Sequence, residues 1–111
     1  MNTTYFTTPS GVKIELGMRY PASIKNFHPC VYIVSGRGLF KIGRTASLER
    51  RLVNLRSVND FPITMVHIIY SMRHDQLEHA LHSMFAGKRI YGEWFDLNDS
   101  DVSKLKLMGT S

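Results

Sequence analysis

Two strand-like runs joined by one tight turn fix the centre of any fold this chain can adopt. Cys30 to Val34 is rich in β-branched and aromatic residues, and Ser35-Gly36-Arg37-Gly38 carries turn chemistry. Leu39 to Gly43 should then return antiparallel. Alternation places Leu39, Lys41 and Gly43 on one face of the returning strand and Phe40 and Ile42 on the other. Lys41 is therefore more than a surface charge.

The rest of the chain reads outward from this hairpin. Ser47 can cap a helix running from Leu48 to about Arg56, whose apolar stripe is Leu48, Leu52 and Leu55, with Arg51 on its flank. Asn59-Asp60-Phe61-Pro62 interrupts, and Ile63 to Tyr70, the most β-like run, suggests a central strand. A second helix opens at His74 or Asp75 and runs to about Phe85 on Leu77, Leu81, Met84 and Phe85, with Gly87 as its stop. Glu93 to Leu97 suits a short edge strand or docking segment, and Asp99 or Ser100 suits the cap of a last helix through Leu107.

Residues 1–29 read as a peripheral N-terminal extension: Pro9-Ser10-Gly11 marks a turn before the alternating Val12 to Leu16, while Tyr20-Pro21 and His28-Pro29 punctuate an irregular passage. The expectation is an α+β domain over residues 30–111, a small three-stranded, mainly antiparallel sheet flanked by helices in the order strand-strand-helix-strand-helix.

A length of 111 residues with 43% hydrophobic content fits one domain with a modest core. The single Cys30 excludes an internal disulfide framework. No basic leader and no run near the roughly 20 apolar residues of a membrane span is present. These features lead to the expectation of a soluble, cytoplasmic protein with no membrane partner. Charge narrows the partner class. The net +5 is concentrated between residues 37 and 56, where Arg37, Lys41, Arg44, Arg50, Arg51 and Arg56 face only Glu49. Such a local positive field suits a polyanion, although a solvated helix face has the same composition.

In its motifs the chain resembles the GIY-YIG nuclease superfamily, in particular its phage and bacterial branch. Val31-Tyr32-Ile33 places a tyrosine at the point matching the first motif, and Lys41-Ile42-Gly43 matches the second. Arg51 follows the motif glycine by eight residues, Glu78 lies on the later helix, and Gly92-Glu93-Trp94-Phe95 is similar to the closing motif of that branch. The resemblance implies a metal-dependent endonuclease or nickase acting on DNA, RNA remaining open, in the cytoplasm, or the host cytoplasm for a phage protein. Tyr32, Lys41, Arg51 and Glu78 would be catalytic, with Glu78 holding Mg²⁺ or Mn²⁺.

Phosphodiester hydrolysis explains why such residues would be grouped. It needs an activated water, cations for the growing phosphate charge and help for the leaving oxygen. Glu78 with water ligands suffices for Mg²⁺, and the Arg51 fork suits a phosphate. Tyr32 would orient or deprotonate the water, a demanding task for a phenol of ordinary pKa near 10 unless a cation such as Lys41 lowers it. Arg37, Arg44, Arg50 and Arg56 are candidate nucleic-acid contacts, with Glu93 auxiliary. His82, four residues after Glu78, is either an auxiliary metal or proton-relay group or a hydrogen-bonded histidine at the domain margin. The spacing His74, Glu78, His82 carries a weaker zinc signal, and His28-Pro29-Cys30 another. Asp96, Asp99 and Asp101 read as solubilising and capping charge.

Two positions depart from the family pattern. Lys41 replaces the usual second tyrosine, as in some restriction-type members, and Leu55 stands where many members carry an assisting histidine or tyrosine. Many members also carry an asparagine near the end of the domain, for which Asn98 is the one nearby candidate. The alternative readings are therefore a nucleic-acid-binding module without efficient cleavage and a phage-type protein-interaction module. The chain has little room for a separate recognition domain, so either a homodimer supplies the extra surface or recognition is weak.

Overall fold

The computed structural model describes residues 4–17 and 27–109; the Tyr20-Pro21 passage lies outside them. The predicted hairpin is β3 (Cys30–Gly36) and β4 (Leu39–Thr45), antiparallel with Tyr32 opposite Gly43 and Val34 opposite Lys41. Because β3 is covered on both faces, its sequence is an unbroken apolar run rather than an alternation. Val31 and Ile33 enter one core, and Tyr32 and Val34 the other.

The sheet is wider than three strands. Its order is β5-β3-β4-β7-β6, with β5 at Thr64–Tyr70, β6 at Arg89–Tyr91 and β7 at Trp94–Phe95. The Glu93 to Leu97 segment thus supplies a strand, and β6 lies outside it. The expectation of a central strand at Ile63 to Tyr70 is overturned: β5 is at the edge, paired only with β3 among the described strands. Its β-branched run reflects contacts on both faces instead. Ile69 is buried in the larger core, Met65 packs against the smaller one, and the His67 ring bonds the Met108 carbonyl at 2.7 Å.

Helix α1 (Leu48–Val58) and helix α2 (His74–Met84) cover opposite faces. Ser47 precedes α1, but its side chain makes no capping bond; Thr45 Oγ1 instead accepts from the Ser47 amide at 3.0 Å. α2 ends at Phe85, and Gly87 falls within a single 3-10 turn over Ala86–Lys88 rather than stopping the helix in a left-handed conformation. Helix α3 (Asp99–Leu107) is capped by Asn98, not by Asp99 or Ser100. The Asn98 and Asp101 side chains each accept from the other's backbone amide in a capping box.

The N-terminal residues form a separate hairpin, β1 (Thr4–Thr7) and β2 (Lys13–Leu16), turning through Gly11 at φ 92°. It is outside the sheet but contributes to the core. Ile14 and Leu16 are buried in the cluster that holds Leu77, Leu81, Phe95 and Leu105, and Ser71 Oγ donates to the Glu15 carbonyl.

Candidate active site

The site begins with a glycine. Tyr32 extends from β3 across β4, and its phenol lies over Gly43, where a Cβ would overlap both the ring and the hydroxyl. The motif glycine is thus explained by the motif tyrosine. From the helix above, Arg51 Nη1 donates to Tyr32 Oη at 3.5 Å, while Leu55, one turn later, is buried in the small cluster with Tyr32 and Trp94.

Tyr32 is fully buried, and loss of solvent raises its phenol pKa. The charge and hydrogen bond of Arg51 pull it down, without overcoming burial. The expected lowering by a neighbouring lysine therefore does not occur. The hydroxyl is a neutral donor and acceptor at pH 7, not a phenolate base.

A second group meets at the edge of β4. Strand β7 pairs with β4 only at Phe40 and Lys41, and the Ile42 amide then donates to the Glu93 carbonyl at 3.0 Å. This brings Glu93 alongside Lys41, whose Nζ lies 3.0 Å from Glu93 Oε1 and 5.8 Å from the centre of the Trp94 ring. From the other face, α2 brings Glu78 to the same edge, with Oε1 3.6 Å from Arg44 Nε.

Glu78 is the most perturbed carboxyl of the group. Its Oε2 is buried without a hydrogen-bond donor among the described residues. Desolvation, and then the charge and hydrogen bonding of Glu93, push its pKa up to about 7 against the opposing charges of Arg44 and Lys41. Two carboxylates in contact can share a hydrogen bond only when one is protonated, and a bound cation removes the same repulsion. The orphaned oxygen and the paired carboxylates therefore fit a metal ion.

His82 completes this group. One ligand atom from each of Glu78, His82 and Glu93 lies within 4.8 Å of the others, an arrangement able to hold a metal ion. The histidine is also structurally held: Nε2 is 2.7 Å from the Ile42 carbonyl, and the ring meets Phe95 edge-on at 5.1 Å. A carbonyl only accepts, so Nε2 carries the hydrogen and Nδ1 the lone pair. Arg89 Nη2 lies 3.3 Å from that lone pair.

A family model described as the T5orf172 domain matches residues 29–107, from the start of β3 to the end of α3. The chain belongs to the T5orf172 domain family. Neither the curated proteins nor the solved structures give a match. Both groups described above, Tyr32 with Arg51 and Glu78 with Lys41, Arg44, His82 and Glu93, fall inside the T5orf172 domain.

Other predicted positions lie elsewhere. Arg37, at φ 54°, sits at the β3–β4 turn with its guanidinium 4.7 Å from the Phe61 ring centre, at the opposite end of β4 from Arg44. Arg50 and Arg56 are exposed on α1 and join neither group. The zinc spacing is not assembled: the metal-competent group takes Glu93 rather than His74, whose pKa is lowered mainly by burial. The Cys30 thiol is buried and pushed up to about 11, and it belongs to no metal-competent group among the described residues. Asn98 serves as a helix cap, and Asp101 pairs with Lys88.

Sequence reasoning missed Arg89, which belongs to no periodic pattern and reaches His82 only because β6 folds back beside β7. A cavity of about 720 Å³ between the N-terminal hairpin turn and α2, lined by Thr8, Val12, Gln76 and His79, shares no residue with either group.

Proposed function

We propose that this T5orf172 domain is a metal-dependent endonuclease or nickase of the GIY-YIG type, hydrolysing phosphodiester bonds in DNA in the cytoplasm of a cell or phage host. The observation that carries the reading is the approach to one stretch of β4 of Tyr32 and Arg51 beneath α1 and of Glu78 from α2, with the Lys41–Glu93 pair beside them. Arg51 and Arg44 supply positive charge for phosphate oxygens. The neutral Tyr32 hydroxyl orients a water or a phosphate oxygen by hydrogen bonding, and the Lys41 ammonium gives a proton to the departing sugar oxygen. Glu78, with Glu93 and His82 beside it, would hold Mg²⁺ or Mn²⁺. Such an ion, when bound, acidifies a water and offsets phosphate charge.

The buried Leu55 makes no polar contribution to this group, which favours as a second reading a binding module with weak cleavage. Plasmid and short duplex DNA incubated with Mg²⁺, Mn²⁺ or EDTA separate the two. The nuclease reading expects metal-dependent nicking or cutting that falls at least about 100-fold in Glu78→Gln and Arg51→Ala. Cleavage that survives both substitutions would falsify the site. Salt-sensitive binding without cleavage establishes the binding module, and absence of both points to a protein partner.

A further inference from the structure

Each prospective metal ligand is already held by a basic side chain: Glu93 by Lys41 at 3.0 Å, Glu78 by Arg44 at 3.6 Å and His82 by Arg89 at 3.3 Å. The three contacts differ in one respect. A carboxylate has two oxygens, so it can keep a cation and still ligate a metal through the other oxygen. An imidazole with one nitrogen committed to a carbonyl has a single lone pair, and that lone pair takes either Arg89 or a metal.

We infer that Arg89 is an exchangeable placeholder on His82, so that the site distinguishes divalent ions by whether they displace it. Mg²⁺ takes oxygen ligands and has little use for imidazole, so it binds through Glu78 and Glu93 and leaves Arg89 in place. Mn²⁺ and Co²⁺ accept imidazole nitrogen together with carboxylate, and Co²⁺ more strongly. These ions draw in His82 and release Arg89. The buried Ile42 carbonyl keeps its hydrogen bond and thereby fixes the ring, the usual work of a group behind a metal-bound histidine. Arg89 can leave because it is exposed and rests on the Phe95 ring, 5.5 Å from its centre, without a carboxylate partner among the described residues.

This inference rests on the Glu78-centred site of the proposed nuclease but not on catalysis, and it is tested without DNA. Calorimetric titration of the full chain with MgCl₂, MnCl₂ and CoCl₂ gives the affinities, and the visible spectrum of the Co²⁺ complex reports nitrogen ligation. Wild type is expected to bind Co²⁺ about tenfold or more tightly than Mg²⁺. Arg89→Ala should tighten Co²⁺ several-fold and leave Mg²⁺ unchanged. His82→Gln, whose amide can still donate to Ile42, should flatten the preference, shift the Co²⁺ spectrum and make a second Arg89→Ala change silent.

Equal effects of Arg89→Ala on both ions, or no effect on either, would overturn the inference. So would an unchanged Co²⁺ spectrum in a folded His82→Gln protein. Should His82→Gln fail to fold, the exposed Arg89→Ala variant decides the matter alone. An intact metal preference without cleavage strikes only the nuclease reading, while no binding of any ion overturns both.

Discussion

The two faces of the sheet are built for different purposes. Among the described residues, twelve buried ones beneath α2, from seven elements, the end of α2 at Phe85 and the segment after β7, form one cluster, to which the N-terminal hairpin and α3 both contribute. Beneath α1, the cluster has five buried residues among those described, and two of them, Tyr32 and Trp94, carry polar atoms. The large core holds the chain together. The small one holds Tyr32 against Gly43 and leaves room beside it for Arg51 and Lys41. Tyr32, Arg51 and Lys41 thus lie on the thinner side, while Glu78 and His82 come from α2 on the thicker one, so the candidate group draws on both faces.

The sharpest way to break this comparison is Leu81→Ala, which empties a fully buried position of the large core. A loss of about 2–5 kcal/mol is expected in urea denaturation, a large part of the stability of a domain this size. Gly43→Ala should come next, at about 1–3 kcal/mol, because the added methyl must displace the phenol of Tyr32. In the Gly43→Ala, Tyr32→Ala double variant the cost should shrink, since the obstruction is gone; additive losses would count against the packing argument.

Glu78→Gln tests the opposite sign. Its folded pKa of about 7 is above the ordinary 4.5, so the stability linked to the neutral form is full below about pH 4.5 and is lost as pH rises through 7. In metal-free buffer the variant should therefore exceed wild type at pH 8 by on the order of 1–2 kcal/mol and match it near pH 4.5. Thermal melts at the two pH values read the difference. Tyr32→Phe should change stability by less than about 1 kcal/mol, since the hydroxyl has only a 3.5 Å contact with Arg51, while removing the proposed orienting group.

The smallest effect belongs to the end of the chain. The hydrogen bond and charge of Lys88 hold the Asp101 carboxyl below its usual range, so its contribution is present above the unfolded pKa and fades as pH falls through the folded one. Lys88→Met should cost a little stability near neutrality, and thermal melts should show the difference closing in acid, once the Asp101 carboxyl is protonated in both proteins.

The sequence made the hairpin, both major helices and their stripes legible because each is a local pattern: Tyr32 and Lys41 follow from alternation, and Leu77 and Leu81 from helical spacing. What it concealed depends on chain reversal. Nothing local at Arg89 announces that β6 will lie two strands from β4, and nothing local at Asn98 distinguishes a cap from a site residue. The apolar density of Ile63 to Tyr70 was equally readable as central strand or as an edge covered on both sides. For the candidate site, the resemblance pointed to Tyr32, Arg51 and Glu78, but the approach of Glu78 to Glu93 is a tertiary event across the fourteen residues between them.

The overlap of Tyr32 with the place of a Cβ at Gly43 has an evolutionary reading. The two positions form one inheritance unit: a lineage that loses the aromatic ring also loses the reason for the glycine, and one that gains a side chain at position 43 first has to part with the ring. Drift should therefore visit the pair together or not at all. A relative that has changed both while keeping the larger core intact would be a descendant that has kept the scaffold and given up the packing of ring on glycine.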